Sequence, residues 1–171
     1  METISTCFFF FQMAELKMLN SNYCNGAVYV YYCGDVSSCT LLQTYAAPGG
    51  HNDYQRGYSV CAQTVSSTVY VVAGSPGYNA FISFSCSLSG ASLSCPTAAG
   101  VNEVYAQDSD DGSEGVFVAM NSDLFVVFDT INQYVFIYSL GSCNGGSGWC
   151  NPYSKFPNST YWIVSCFVVQ I

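Results

Sequence analysis

Charge is the scarcest property of this 171-residue chain, which has 3 basic and 11 acidic residues and a formal net charge of −8. Charged residues make up 8% of it, against about 25% in an average soluble domain. Three cations neutralise few phosphates and attract few anionic headgroups, so nucleic acid and anionic membrane surfaces are poor partners. The low charge does not indicate disorder, because disordered chains are polar and this one is 50% apolar.

Histidine is nearly absent, which leaves little material for catalysis. His51 is the single histidine, and the Gly- and Asn-containing loop around it favours a solvent-exposed residue. No nucleophile pattern such as G-x-S-x-G accompanies it. The sequence therefore predicts no enzyme activity and no cofactor.

Long apolar runs are absent as well. A membrane-spanning helix needs about 20 mostly apolar residues, whereas Ser, Asn, Asp or Gly interrupts the apolar segments here every few positions. The sequence therefore predicts no membrane span. The first residues also lack the basic start and the small-residue cleavage site of a signal peptide.

Cysteine, by contrast, is abundant, with ten residues. Structural zinc sites favour tight pairs such as C-x-x-C, and no cysteines are that close here. Three pairs instead flank Gly- or Ser-rich turns, which bring strand ends close enough for a disulfide. The predicted local disulfides join Cys33 to Cys39, Cys86 to Cys95, and Cys143 to Cys150. Four further cysteines have no assignable partner from sequence: Cys7, Cys24, Cys61 and Cys166.

This cysteine content also predicts where the protein is found. Disulfides persist in oxidising compartments, which favours an extracellular protein or one on the surface of a cell or particle. The lack of a recognisable signal peptide points the other way. We give the cysteines more weight.

Short segments rich in Val, Tyr, Phe and Ile recur between Gly, Pro, Asn, Asp and Ser, as in antiparallel sheets. Strands are predicted over residues 28–32, 69–72, 80–84, 116–120, 124–128, 134–138, 161–164 and 166–169. Helix formers follow one another only over 12–19. The expected fold is one disulfide-stabilised all-β domain over 1–171, with a strand or helix segment in 1–25 and β repeats in 26–171.

The repeats are suggested by an apolar strand that returns four times. With Val28, Val69, Val116 and Tyr161 as equivalent positions, the spacings are 41, 47 and 45 residues. Such periods are typical of propeller blades and other stacked β units. Alternatively, any β-sandwich rich in Val and Tyr contains strands with similar sequences that are not true repeats.

Two predicted strands, 124–128 and 134–138, are apolar at successive positions rather than alternating, which indicates that both faces are covered. Phe125 and Phe136 are the expected residues of a doubly covered face. Other subunits, or carbohydrate, would supply the second cover. The first functional hypothesis is therefore a structural subunit of an extracellular filament, fibril or coat that assembles with copies of itself.

The alternative hypothesis is a carbohydrate-binding module of propeller-like type. Trp149 lies in a Gly-rich turn, where an indole is free to stack on a sugar ring. Four tyrosines accompany it as stacking candidates: Tyr31, Tyr32, Tyr78 and Tyr153. Asn158 begins the single N-x-[ST] sequon and is the glycosylation candidate.

One acidic loop is a weak calcium candidate. Its carboxylates come from Asp108, Asp110, Asp111 and Glu114, and calcium takes six to eight such hard oxygen ligands. The spacing does not match an EF-hand, because Gly112 occupies a ligand position. A solvated hairpin loop explains the same residues, so no metal site is assigned.

Overall fold

A computed structural model describes residues 11–13, 26–35, 38–47, 55–78, 80–90, 92–101, 103–106, 114–121, 123–129, 134–143, 148–150 and 152–157. The strands in these ranges are β1 (Phe11–Met13), β2 (Ala27–Asp35), β3 (Ser38–Ala46), β4 (Val60–Val65), β5 (Thr68–Ser75), β6 (Ala80–Ser89), β7 (Ser92–Ser94), β8 (Glu103–Ala106), β9 (Glu114–Met120), β10 (Leu124–Asp129), β11 (Tyr134–Ser139), β12 (Gly148–Cys150) and β13 (Ser154–Pro157). Two 3-10 turns, Pro76–Tyr78 and Ala98–Gly100, complete the described elements. The predicted all-β class is confirmed.

The strands form three sheets. The first has the order β1-β2-β3, the second β13-β11-β10-β9, and the third β12-β8-β6-β5-β4 with β7 paired to β6. Pairing between named strands is antiparallel, as predicted, except that β12 runs parallel to β8. No helix in the described ranges is long and apolar enough to cross a membrane.

The six-stranded sheet is the middle layer, because its two faces belong to different cores. The first core lies against the four-stranded sheet and contains Cys61, Val72, Phe81, Val104, Val118, Phe125, Val127, Phe136, Tyr138 and Cys143. The second core lies against the three-stranded sheet and contains Val28, Val30, Tyr45, Val69, Val71, Ala73, Ile82, Phe84, Cys86 and Leu93. Neighbouring residues of β5, such as Val71 and Val72, therefore enter opposite cores.

This layering shows which strands have both faces covered. On β5 and β6, long stretches are buried at successive positions, as expected for a central sheet. On β10, burial alternates, with Phe125 and Val127 buried and Val126 half-buried. Phe125 and Phe136, which the sequence predicts on a covered face, are both buried in the first core, whereas the residues that alternate with them on β10 are half-buried.

Three aromatic rings form the centre of the first core. Phe81 meets Phe125 edge-on with ring centroids 5.6 Å apart, and Phe125 stacks on Tyr138 at 4.9 Å with an interplanar angle of 13°. Edge-to-face and offset-stacked pairs contribute about 0.5–1.5 kcal/mol beyond the area they bury. These contacts join the four-stranded sheet to the middle layer.

Tyr45 anchors the second core through a polar contact at its edge. The ring lies 4.3 Å from that of Phe84, and the hydroxyl donates a 2.8 Å hydrogen bond to the carbonyl oxygen of Pro96. Burial raises the pKa of Tyr45 to about 12, because the phenolate loses its hydration in the core.

This pKa predicts a specific loss of stability at high pH. The folded pKa lies above the unfolded value of about 10, so the native state holds the proton more tightly. The stabilisation is complete below pH ~10 and is lost as pH rises to ~12, by roughly 1.4 kcal/mol at pH 11. Urea unfolding at pH 8 and pH 11 checks this against Tyr45→Phe. We expect the variant to be about 1 kcal/mol less stable at pH 8 and to lose that deficit at pH 11. An equal deficit at both pH values would contradict the raised pKa of Tyr45.

A buried arginine links the three-stranded sheet to the segment before β4. Arg56 is 8% exposed, and its Nη1 donates a 2.6 Å hydrogen bond to the carbonyl oxygen of Ala46, at the end of β3. The backbone of Arg56 also forms a parallel bridge with Gly26, just before β2. Arg56 therefore holds both the end of β3 and the start of β2 in place.

Disulfides join Cys33 to Cys39 across the β2–β3 hairpin, and Cys86 in β6 to Cys95 after β7. Both are pairs that the turn spacing predicts. Cys61 and Cys143 are also disulfide-bonded. The side chain of Cys150 lies outside the described part of the chain, so its pairing with Cys143 stays a prediction.

Six of the eight predicted strands lie within β2, β5, β6, β9, β10 and β11; the predictions at 161–164 and 166–169 lie outside the described residues. Within the predicted strand or helix segment of 1–25, Phe11–Met13 forms strand β1. The first three copies of the proposed repeat occupy unlike positions. β2 is the centre of the three-stranded sheet, β5 lies inside the six-stranded sheet, and β9 is an edge of the four-stranded sheet, so these strands do not show repeated blades.

Candidate interaction surfaces

The four-stranded sheet turns one face to the first core and the other away from it. Because side chains alternate along a strand, the neighbours of the buried residues form a second set on the opposite side. We call its apolar members the apolar outer face: Phe117, Ala119, Leu124, Val126, Phe128, Val135 and Ile137. Ser139, opposite Leu124, and Ser154, opposite Ile137, lie on the same side of the sheet. None of these residues is charged.

Strand register orders this face into two rows. Phe128 of β10 lies opposite Phe117 on one side and Val135 on the other, and Val126 lies likewise between Ala119 and Ile137. Directly opposed residues on one face contact each other, and the Phe117 and Phe128 rings are 6.3 Å apart. The rows therefore make a continuous apolar surface across β9, β10 and β11.

Exposure is uneven on this face. Phe117 is 48% exposed, whereas the other six members are half-buried. The hairpin that joins β9 to β10 is held by Asn121, whose Oδ1 accepts hydrogen bonds of 2.9 Å from the backbone N–H groups of Asp123 and Leu124. The two strands that carry most of the face are thus connected by a turn with its own side-chain cap.

A second surface lies on the three-stranded sheet. Tyr29 and Tyr31 are two residues apart on β2, and their ring centroids are 6.5 Å apart at an interplanar angle of 31°. In the register of β3, Thr44 lies opposite Tyr29 and Leu41 opposite Tyr31. We call Tyr29 and Tyr31 the tyrosine pair.

A bulge next to the tyrosine pair exposes two leucines. Val30 is opposite Gln43 and Tyr31 is opposite Leu41, which leaves Leu42 as the extra residue of β3. A bulge breaks the strict alternation of side chains, and Leu41 and Leu42 are 47% and 36% exposed although they are adjacent. Because bulges twist an edge strand, this one also hinders pairing of β3 with another chain.

The predicted sugar-stacking residues whose side chains the structure describes do not form one site. Tyr31 belongs to the tyrosine pair, whereas Tyr32 packs partly against the second core. Tyr153 is 78% exposed before β13, and its backbone N–H donates to the carbonyl oxygen of Ile137.

Trp149 is in strand β12, opposite Tyr105 of β8, and not in a flexible turn. Its side chain lies outside the described part of the chain, as does that of Tyr78. Sequence reasoning missed Tyr29, although its two-residue spacing from Tyr31 was a usable signal.

The remaining site predictions fall mostly outside the described residues. Asn158, His51 and three carboxylates of the calcium candidate (Asp108, Asp110 and Asp111) are among these. Glu114 begins β9 and lies opposite Asp129 of β10 in the register. Within the described ranges, no three His, Cys, Asp or Glu residues are grouped to hold a metal ion.

No protein-family model, no curated protein and no solved structure matches this chain.

Proposed function

We propose that this protein is a structural subunit of an extracellular filament, fibril or coat, and that its copies assemble through apolar β surfaces. The observation that carries the proposal is the apolar outer face, which holds seven apolar side chains and no charge. Contiguous apolar patches on soluble proteins are typical of interaction surfaces.

Disulfides and low charge support the same function. The bonds at Cys33–Cys39 and Cys86–Cys95 require an oxidising compartment to persist, which is compatible with an extracellular protein. A net charge of −8 spread over 11 acids and 3 bases offers few ion pairs for assembly. Apolar contact and strand pairing are therefore expected to contribute more binding free energy than ion pairs do.

The proposal predicts assembly that tolerates salt. At 1 M NaCl the Debye length falls to about 3 Å, which screens charges but leaves apolar contacts in place. Sedimentation velocity of the oxidised protein should show oligomers or larger assemblies that persist in high salt. A reductant combined with mild denaturant should shift the material toward monomer. A monomer at all concentrations and salt levels would refute the proposal, and negative-stain microscopy would show whether the assemblies are filaments or closed particles.

A second function is favoured by the tyrosine pair, which offers two neighbouring rings on one side of β2. Aromatic rings stack on the apolar faces of sugars, and Thr44 opposite Tyr29 supplies a hydroxyl for hydrogen bonding. For a carbohydrate-binding protein, glycan-array binding should fall at least tenfold in Tyr29→Ala and Tyr31→Ala. Tyr58→Ala is a suitable control, because Tyr58 is 49% exposed and belongs to neither surface. The absence of any glycan binding by the unmodified protein would dismiss this alternative.

A further inference from the structure

We infer that the Cys33–Cys39 disulfide is a reversible thiol-exchange site, at which a low-molecular-weight thiol releases the end of the β2–β3 hairpin. We call the residues beyond the bulge at Leu42 the hairpin end, and they comprise 31–35 of β2 and 38–41 of β3. The inference goes beyond the proposed function, because it concerns how a single copy changes state and does not depend on how copies meet.

Solvent access distinguishes this disulfide from the Cys86–Cys95 disulfide. Cys39 is exposed, and β3 is an edge strand that stays exposed at the four successive positions 39–42. In the other bond, Cys86 is 1% exposed, and Cys95 is half-buried against the second core. A thiolate has to reach a sulfur atom before it can attack it, so an external thiol reacts first at Cys39.

The reaction is a thiol–disulfide exchange in two steps. The external thiolate attacks Sγ of Cys39, forms a mixed disulfide there and expels the sulfur of Cys33 as a thiolate, which takes a proton from water. A second external thiolate then attacks the sulfur of the first and releases the thiolate of Cys39. The protein disulfide gains two electrons, and the two external thiols leave as their own disulfide.

The leaving group does not favour either bond. Attack at the more accessible sulfur expels Cys33 in one disulfide and Cys86 in the other, and these cysteines are 0% and 1% exposed. Burial affects the two leaving thiolates in the same direction. Access to the attacked sulfur is therefore the difference that sets the two rates apart.

The two parts of the hairpin are held unequally by the rest of the fold. On the inner side of the bulge, Val28, Val30 and Tyr45 are buried in the second core. Arg56 also donates a hydrogen bond to the carbonyl oxygen at the end of β3. The described residues of the hairpin end include no buried member of that core, although Tyr32 packs partly against it. Segments with few buried contacts open before the rest of a fold, so breaking the disulfide loosens the hairpin end alone.

The position of the bond makes the change local and reversible. Cys33 and Cys39 are six residues apart, and a disulfide that closes a short loop adds less to global stability than one that closes a long loop. The two cysteines are direct partners in the register of β2 and β3. Because the inner part of the hairpin stays paired, it keeps the reduced thiols near each other, and an excess of external disulfide restores the bond.

The tyrosine pair crosses the boundary between the two parts. Tyr29 is on the inner side of the bulge, whereas Tyr31 belongs to the hairpin end. The 6.5 Å separation of their rings is therefore fixed only while the hairpin end is held. Reduction of Cys33–Cys39 changes the surface that the tyrosine pair presents.

The first test compares the rates at which the two disulfides react. The oxidised full-length protein is incubated under native conditions with reduced glutathione, alkylated with iodoacetamide at intervals, and mapped by mass spectrometry. We expect Cys33 and Cys39 to be alkylated at least tenfold faster than Cys86 and Cys95, and excess glutathione disulfide to reverse the reaction. Equal rates, or alkylation of Cys33 and Cys39 only after unfolding in urea, would overturn the inference.

Hydrogen exchange then separates release of the hairpin end from general unfolding. We expect the amides of 31–33 and 39–41 to exchange at least tenfold faster after reduction by glutathione. The amides of 27–30 and 43–46 should change less than twofold, because the second core and Arg56 still hold them. Unchanged exchange at the hairpin end, or an equal rise over both parts of the hairpin, would refute the inference.

Paired serine variants provide the matched control without any thiol. Cys33→Ser combined with Cys39→Ser should give fast exchange at the hairpin end, as reduction does. Cys86→Ser combined with Cys95→Ser should leave the hairpin end protected. If the second variant loosens the hairpin end as much as the first, the effect is not specific to the Cys33–Cys39 bond and the inference is wrong.

Discussion

Gly26→Ala is expected to destabilise the fold by about 3–5 kcal/mol, a large share of the roughly 5–15 kcal/mol that stabilises a typical domain. Gly26 has φ +71°, and a Cβ there would overlap the carbonyl oxygen of Arg56 and lie 2.8 Å from its backbone nitrogen. The positive φ costs roughly 1–2 kcal/mol for a non-glycine residue. The clash adds more, because both obstructing atoms are backbone and Arg56 is also tied to Ala46 by its side chain.

Gly90→Ala is the matched control for this substitution. Gly90 also has a positive φ, +57°, but a Cβ at this position meets no atom within 4 Å. We expect it to cost only the conformational part, about 1 kcal/mol. Urea denaturation of both variants measures the difference. Equal losses would show that the close approach of Gly26 to the Arg56 backbone adds nothing to the cost of the substitution.

The strands with dense β-branched and aromatic residues could be predicted from sequence, because their type follows from local composition. The edge strand β3 could not, since Ser38–Ala46 includes Ser, Thr and Gln and reads as a turn followed by a polar segment. The Cys33–Cys39 disulfide, which the turn spacing predicts, joins it to β2. The Tyr45 and Arg56 hydrogen bonds connect β3 to Pro96 and to the segment before β4, and these contacts leave no periodic signal in the sequence.

The sequence predicts that β10 and β11 are apolar at successive positions, but not which of their residues face the core. A strand such as β10 reads Leu-Phe-Val-Val-Phe, and no residue type distinguishes the buried Phe125 from the half-buried Phe128. Only the register with β9 and β11 shows that Phe128 lies beside Phe117 and Val135. Parity can be predicted where polar residues mark the outer face, and no residue of 124–128 does so.

The tyrosine pair illustrates the same limit for the alternative function. The sequence analysis includes both Tyr31 and Tyr32 among the stacking candidates, yet successive residues of a strand point to opposite faces. Tyr32 accordingly packs against the second core, while Tyr29 and Tyr31 lie together. A two-residue spacing, rather than adjacency, is what places side chains together on a sheet.

Phe125→Asp is expected to abolish folding altogether, because Phe125 is 1% exposed between Phe81 and Tyr138. Removing a buried Phe side chain costs about 3–5 kcal/mol. A carboxylate in its place adds several kcal/mol more for burial without a partner. The sum approaches or exceeds the 5–15 kcal/mol that stabilises an average domain. The expected result is no soluble folded protein by circular dichroism and size-exclusion chromatography.

Phe117→Asp is the matched control for Phe125→Asp, because it tests the opposite side of the same sheet. The same substitution is made in the same sheet, but Phe117 is 48% exposed on the outer face, where a carboxylate keeps its water. The variant should fold with a free energy of unfolding within about 1 kcal/mol of the unmodified monomer and lose only its self-association. If Phe125→Asp folds as well as Phe117→Asp does, the four-stranded sheet does not turn Phe125 toward the middle layer. Both the first core and the apolar outer face would then have to be reassigned, because one strand's alternation defines the two together.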